Sequence, residues 1–290
     1  MLHRVPRRTL FRMGPRRWLL FPILFAAAPA LTALALPEAA SAQFFRFGAT
    51  NVRLGDGLPD QPGGFTFCRL AYYSVRSEPS GTGRDTDFPD AERNLSTRLA
   101  ELTPITPSRW THGEPGFAVV TATDPDLYQC PFLFTSDAGT MGLDDAESSA
   151  LRDYLLKGGF FWVDDFWGEA AWNHWAREIG RVLPEYRIVD LPLNHPLFEI
   201  VYIVPKLPQI PSIRHWRNSG GGTSERGAES ATPHIRAIMD DTGRILVLMT
   251  HNTDIADGWE REAEDPNFFQ FFSPDAYAVG INILVWMMTH

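Results

Sequence analysis

Gly158-Gly159-Phe160-Phe161-Trp162-Val163-Asp164-Asp165-Phe166-Trp167-Gly168 is the stretch from which the fold of this 290-residue chain can be read. The glycine pair ends a helix-like segment, Leu143 to Lys157, since glycine takes the left-handed conformation that closes a helix. Four apolar residues then run without polar alternation, and a second helical segment from about Glu169 to Leu183 follows, stopped by Pro184. A strand apolar on both faces and set between helices is what a parallel sheet covered on both sides produces.

The same grammar extends in both directions. Phe65 to Tyr72, Phe117 to Thr121, Pro131 to Thr135 and Tyr186 to Val189 read as strands, and Asp90 to Leu102 as a helix with Ala91, Leu95, Leu99 and Leu102 on one face and Asp90 as N-cap. Ile235 to Met239 and Ile245 to Met249 read as a hairpin joined by Asp240-Asp241-Thr242-Gly243, and Pro274 to Met288 as a closing helix. Glycines 220–222 mark a flexible surface insertion at about 217–232. The expected architecture is one α/β domain over residues 64–290, a three-layer sandwich around a mainly parallel sheet, preceded by an irregular lead-in at 43–63.

Composition divides the chain in two. Removing the six arginines and one glutamate of residues 1–42 takes the 26 basic and 35 acidic side chains to 20 and 34, and the net charge from −9 to −14. An acidic folded part argues against nucleic-acid or anionic-membrane partners, which select basic patches. The leader itself holds Arg7-Arg8 followed by Thr9-Leu10-Phe11-Arg12, a charge-free stretch from Trp18 to Leu36, and Ala40-Ser41-Ala42 as a small-x-small cleavage site. It resembles a twin-arginine export signal, so the domain is expected in the bacterial periplasm, with Gln43 as the mature N-terminus; an uncleaved inner-membrane anchor is the alternative, and membrane contact is expected only through that segment. An oxidising compartment permits a disulfide between Cys68 and Cys130, the only cysteines, while two buried free thiols fit the apolar flanks equally well.

Polar residues gather where strands end. Asp87 lies past the first strand, Asp164, Asp165 and Trp167 follow Val163, and His251, Asn252, Asp254, Asp257, Trp259 and Glu260 follow Met249. In an open α/β sheet these carboxyl ends face one crevice, where ligands bind. Carboxylates with an amide and an imidazole could hold a hard divalent cation, could grip sugar hydroxyls with Trp167 and Trp259 as platforms, or could supply acid and base for hydrolysis through Asp164 or Asp165 with His251. Set against these, Asp164, Asp165, Asp254 and Asp257 could simply cap helices and bond loop amides. His195 reads as a rim or turn residue, and His174 as part of a packed helix face. The chain has no Gly-x-Ser-x-Gly elbow, P-loop, His-Glu-x-x-His or dinucleotide fingerprint, and neither cysteine sits at an elbow that would make it a nucleophile.

Several blocks carry a resemblance. Phe65-Thr66-Phe67-Cys68-Arg69-Leu70, Asp87-Phe88-Pro89, Asn94-Leu95, Pro131-Phe132-Leu133, Gly158-Gly159-Phe160, Asp164-Asp165-Phe166-Trp167, His195-Pro196-Leu197-Phe198 and His251-Asn252-Thr253-Asp254 resemble, in that order, the bacterial domain of unknown function 4159. The resemblance implies a flavodoxin-like fold similar to class I glutamine amidotransferases. It does not imply their chemistry, because Asp164-Asp165 stands where those enzymes carry a cysteine nucleophile. The expected function is a non-catalytic ligand-binding or interaction domain with an acidic cleft, for an envelope carbohydrate or a periplasmic protein. No cofactor is expected beyond a divalent cation; a metal-assisted hydrolase and a structural assembly component are the alternatives.

Overall fold

A computed structural model describes residues 58–61 and 63–290; the export segment expected at 1–42 and most of the lead-in at 43–63 lie outside the described residues. In chain order the elements are β1 (Phe67–Leu70), β2 (Tyr73–Ser74), α1 (Asp90–Leu102), β3 (Phe117–Val120), β4 (Phe132–Thr135), β5 (Met141–Gly142), α2 (Asp145–Leu156), β6 (Phe160–Val163), α3 (Gly168–Val182), β7 (Ile188–Asp190), α4 (Ile213–Asn218), β8 (His234–Met239), β9 (Ile245–His251), α5 (Asp257–Glu260) and α6 (Pro266–Thr289), linked by short 3-10 turns.

Seven strands form the main sheet in the order β3-β1-β4-β6-β9-β8-β7. The first five run parallel, and β8 and β7 add an antiparallel edge. Side chains alternate across it as strand geometry requires. Phe67, Phe132, Phe134, Phe160 and Trp162 face a core shared with Leu95 and Leu99 of α1, Trp259 of α5 and Val279 and Ile283 of α6. Leu70, Leu133, Phe161 and Val163 face the opposite core with Leu151 and Leu155 of α2 and Trp175 and Ile179 of α3. The result is a three-layer α/β sandwich. From β1 the chain moves outward to β3 and then returns to the other side of β1 as β4, so the strand order reverses between β1 and β4. Such a switch point opens a crevice at the carboxyl ends of the strands, because the loops there leave in opposite directions.

Two helix starts differ from expectation. Pro89, not Asp90, occupies the N-cap of α1, and Asp90 lies in the first turn, where it pairs with Arg93 at 2.5 Å. Helix α6 begins at Pro266, two turns before Pro274, which sits inside it. The reason is local: the Asp265 side chain accepts from the amides of Asn267 and Phe268, and Pro266 supplies a first helical residue that needs no amide partner. That cap outweighs the break signalled by Pro274. Among the described residues α6 is the one helix long and apolar enough to cross a membrane, and its apolar side is buried against the sheet.

Cys68 and Cys130 form a disulfide, with Cα atoms 5.9 Å apart and a sequence separation of 62. It ties the base of β1 to the entry of β4, at the amino ends of the two strands that flank the switch point. Closing a loop of that length removes about 4 kcal/mol worth of chain entropy from the unfolded state. The double variant Cys68→Ala with Cys130→Ala is therefore expected to unfold at markedly lower urea concentration than the oxidised protein, a loss of about 2–5 kcal/mol; equal midpoints would show that the bridge carries no stability.

Candidate functional site

The loops that leave β1, β4, β6 and β9 meet over the switch point in an open cleft of about 180 Å³. Each brings an acid: Asp87 after β1, Asp137 after β4, Asp165 after β6, and Asp254 and Asp257 after β9, joined by Glu260 of α5. Asp87, Asp137 and Asp165 have φ of 66°, 51° and 52°, so three of the five strand-end aspartates sit in the left-handed region that few residues other than glycine, Asn and Asp enter. That conformation turns the chain sharply and leaves each carboxylate facing the cleft.

Asp87 is set by a buried anchor. Arg69 of β1 pairs with Glu92 of α1, and its Nη1 donates to the carbonyls of Arg84 and Thr86, each at 2.9 Å. The guanidinium lies between the rings of Phe88 and Phe134, 5.6 and 5.3 Å from their centroids. One oxygen of Asp87 accepts from Ser136 Oγ at 2.6 Å. In the same way one oxygen of Asp165 accepts from Trp167 Nε1 at 2.9 Å, and one of Asp254 from the Asp257 amide at 2.8 Å. All three side chains are buried; no donor among the described residues reaches the second oxygen of Asp165 or Asp254, and the Glu260 carboxyl is hydrogen-bonded to Asp87. Asp257 is braced by the Ile213 amide at 2.7 Å and by Arg261 at 3.3 Å.

Oxygens of Asp87, Asp165 and Asp254 lie within 4.8 Å of one another, and so do oxygens of Asp87, Asp257 and Glu260. Burial raises the carboxyl pKa of every one of them, because water no longer solvates the charge, and neighbouring carboxylates add to the rise at Asp165, Asp254, Asp257 and Glu260. Asp257 is pushed up to about 7 and Glu260 to about 9. Asp137 rises to about 7: burial is the largest cause and Glu78 and Asp87 add to it, against the lowering effects of the Gly83 amide, which donates to its carboxylate, and of Arg76. A Cβ at Gly81 would lie 2.4 Å from that carboxylate, so only glycine leaves room for it.

Of the residues expected from sequence, Asp87, Asp165, Trp167, Asp254, Asp257 and Glu260 line the cleft. Four do not. Asp164 turns beneath the cleft, accepting from Thr250 Oγ1 and from the Ala256 amide at 2.9 Å, which is the capping role weighed against the site. Asn252 joins Gly168 to Thr232 through its side-chain amide. Trp259 is buried in the core, its ring 5.4 Å from that of Trp162, and offers no platform to a sugar. His251 lies on the far side of the Asp165 loop against Phe166 and Trp172, with its Nε2 3.2 Å from the Gly168 carbonyl; burial lowers its pKa to about 3. The expected pairing of Asp164 or Asp165 with His251 is therefore not formed. His195 caps the short turn at Pro196–Phe198, and His174 contacts the Met141 carbonyl.

Sequence reasoning passed over Asp137, although an acid two residues beyond β4 obeys the same strand-end rule. Glu78, Ser80, Thr82, Glu225, Arg226 and Arg261 also line the cleft. Residues 217–232, expected as an insertion, contribute Glu225, which accepts from the Ser212 amide at 2.7 Å, and Arg226, 3.4 Å from Glu78. No local pattern marks these residues.

The family model described as Domain of unknown function (DUF4159) matches residues 66–288. The chain belongs to the DUF4159 family. No curated protein matches it significantly. In this DUF4159 domain the matched span holds every cleft residue named above.

Stability should record the cluster. An unfolded Asp titrates near about 4, below the value it has when buried here, so between the two the folded state binds more protons and stability falls as pH rises. His251, His195 and His234, whose pKa values burial lowers, work in the opposite sense below the ordinary histidine value but are fewer than the buried acids. In chelator, the melting temperature is expected to drop from about pH 5 to about pH 8. A flat or rising profile would mean that the carboxylates are not buried together.

Proposed function

We propose that this protein is an exported envelope domain whose acidic cleft binds a divalent cation through Asp87, Asp165 and Asp254, and through that cation an oxygen-rich ligand such as an envelope glycan. The observation that carries the reading is the set of three buried carboxylates, each offering an oxygen within 4.8 Å of the other two. An all-oxygen donor set suits a hard ion such as Ca²⁺, Mg²⁺ or Mn²⁺. Three protein ligands leave half or more of a six- to eight-coordinate sphere for water or ligand oxygens, which is how a non-catalytic domain can recognise hydroxyls.

Export through a twin-arginine pathway belongs to the same reading, supported by Arg7-Arg8, by the apolar run behind it and by the Cys68–Cys130 disulfide, a bond favoured outside the cytoplasm. So does the class I glutamine amidotransferase-like variety of the three-layer fold, supported by the parallel strand order and by Asp164-Asp165 following β6 where that family's nucleophile would stand.

Titration calorimetry with Ca²⁺ and Mn²⁺ tests the proposal. The intact protein is expected to bind at least one of them and to gain melting temperature on doing so, and Asp254→Asn to weaken binding at least about tenfold while remaining folded. Absence of cation binding by the intact protein would remove the proposal. Metal-assisted hydrolysis is the second reading, favoured by the coordination positions left open to water; it would have to proceed without His251. Turnover in a hydrolase screen that requires added metal and is lost in Asp165→Asn would promote it over simple binding.

A further inference from the structure

The cleft contains more carboxylate than one ion can use. Resting on the cation reading above, we propose that it takes two divalent cations bridged by the carboxylate of Asp87, one held by Asp165 and Asp254 and the other by Asp257 and Glu260. The geometry comes first. The two triads of oxygens share Asp87 alone, and each spans no more than 4.8 Å, twice a metal–oxygen bond of about 2.4 Å. Among the described residues the five do not form one such set, so a single ion would leave two carboxylates out of reach. A carboxylate has two oxygens and can serve two ions, and paired ions in protein sites stand about 3.5–4 Å apart.

Unused acceptors point the same way. The second oxygens of Asp165 and Asp254 receive no donor from the described residues and stand open to the cleft. Oε2 of Glu260 is buried and accepts no aligned hydrogen bond, although Arg261 Nε lies 2.9 Å from it. A buried acceptor without a donor costs free energy that an ion would recover.

Charge gives an independent count. Ionised, as metal ligands must be, the five carboxylates would carry five negative charges, and among the described residues Arg261 is the one cation paired with them, through Asp257 and Glu260. Arg69 is committed to Glu92, and Arg226 to Glu78 and Glu225. One divalent ion would leave the group at −2, and two bring it to neutrality, the state a buried cluster favours.

Manganese is a suitable probe because its electron spin reports a neighbouring ion. Equilibrium dialysis of the full chain against Mn²⁺ is expected to reach two ions per chain, with an exchange-coupled paramagnetic resonance spectrum. Asp257→Asn and Glu260→Gln should each reduce this to one ion with the six-line spectrum of isolated Mn²⁺, and Asp87→Asn should abolish the coupling; a melting curve confirms that each variant is folded. One ion per intact chain with an uncoupled spectrum would overturn the pair and leave the single-cation reading standing. Two ions that persist in Asp257→Asn would overturn the assignment of ligands, and no bound ion at all would remove both proposals.

Discussion

Five carboxylates held together out of water repel one another in the medium where repulsion is least screened. A domain is stable by only about 5–15 kcal/mol, so such a cluster persists only if protons or cations neutralise it and if its surroundings hold it rigidly. Much of the architecture near the cleft answers that demand. Ser136, Trp167 and the amides of Gly83, Ile213 and Asp257 each donate to one carboxylate oxygen, and Arg261 pairs with the acids of α5. Arg69, itself buried with Glu92, binds the carbonyls of the loop that presents Asp87. The donors reach one oxygen of most of these carboxylates and leave burial as the largest influence on their protonation.

The sheet makes the convergence inevitable. Parallel strands all deliver their carboxyl ends to one edge, and the reversal of order between β1 and β4 parts the loops there. On one face the aromatic residues of β1, β4 and β6 pack against α1, α5 and α6, which seats Trp259 under the site and lets Glu260, one residue on, reach the cleft. On the other face the Cys68–Cys130 bridge joins the two strands that flank the switch. The rigid parts lie below the cleft, and the acids stand on loops anchored to them.

The fold was largely legible because hydrophobic period is a local property. The glycine pair at 158–159, the apolar tetrad after it and the helix-spaced leucines of α1 indicate helix and strand without knowledge of the rest of the chain. The start of α6 was less legible, since Pro274 and the Asp265-Pro266 cap gave opposing signals and the cap's hydrogen bonds decided between them. For the site, the strand-end rule located the right loops. It could not separate neighbours within a loop: Asp164 and Asp165 are adjacent and alike in chemistry, yet one bonds Thr250 and Ala256 below the sheet edge and the other faces the cleft.

By itself, then, the sequence determined a parallel α/β sandwich, an acidic folded part and the edge of the sheet at which its acids collect, since each depends on periodicity, composition or chain direction. Only the tertiary structure decided that Asp87 joins two triads, that Asp137, Glu225 and Arg226 enter the cleft, and that His251 and Trp259 do not. Those outcomes depend on backbone turns at single residues and on partners far apart in sequence, such as Asp87 with Asp254. Distances of that kind are set by register and packing, which no local pattern of residues encodes.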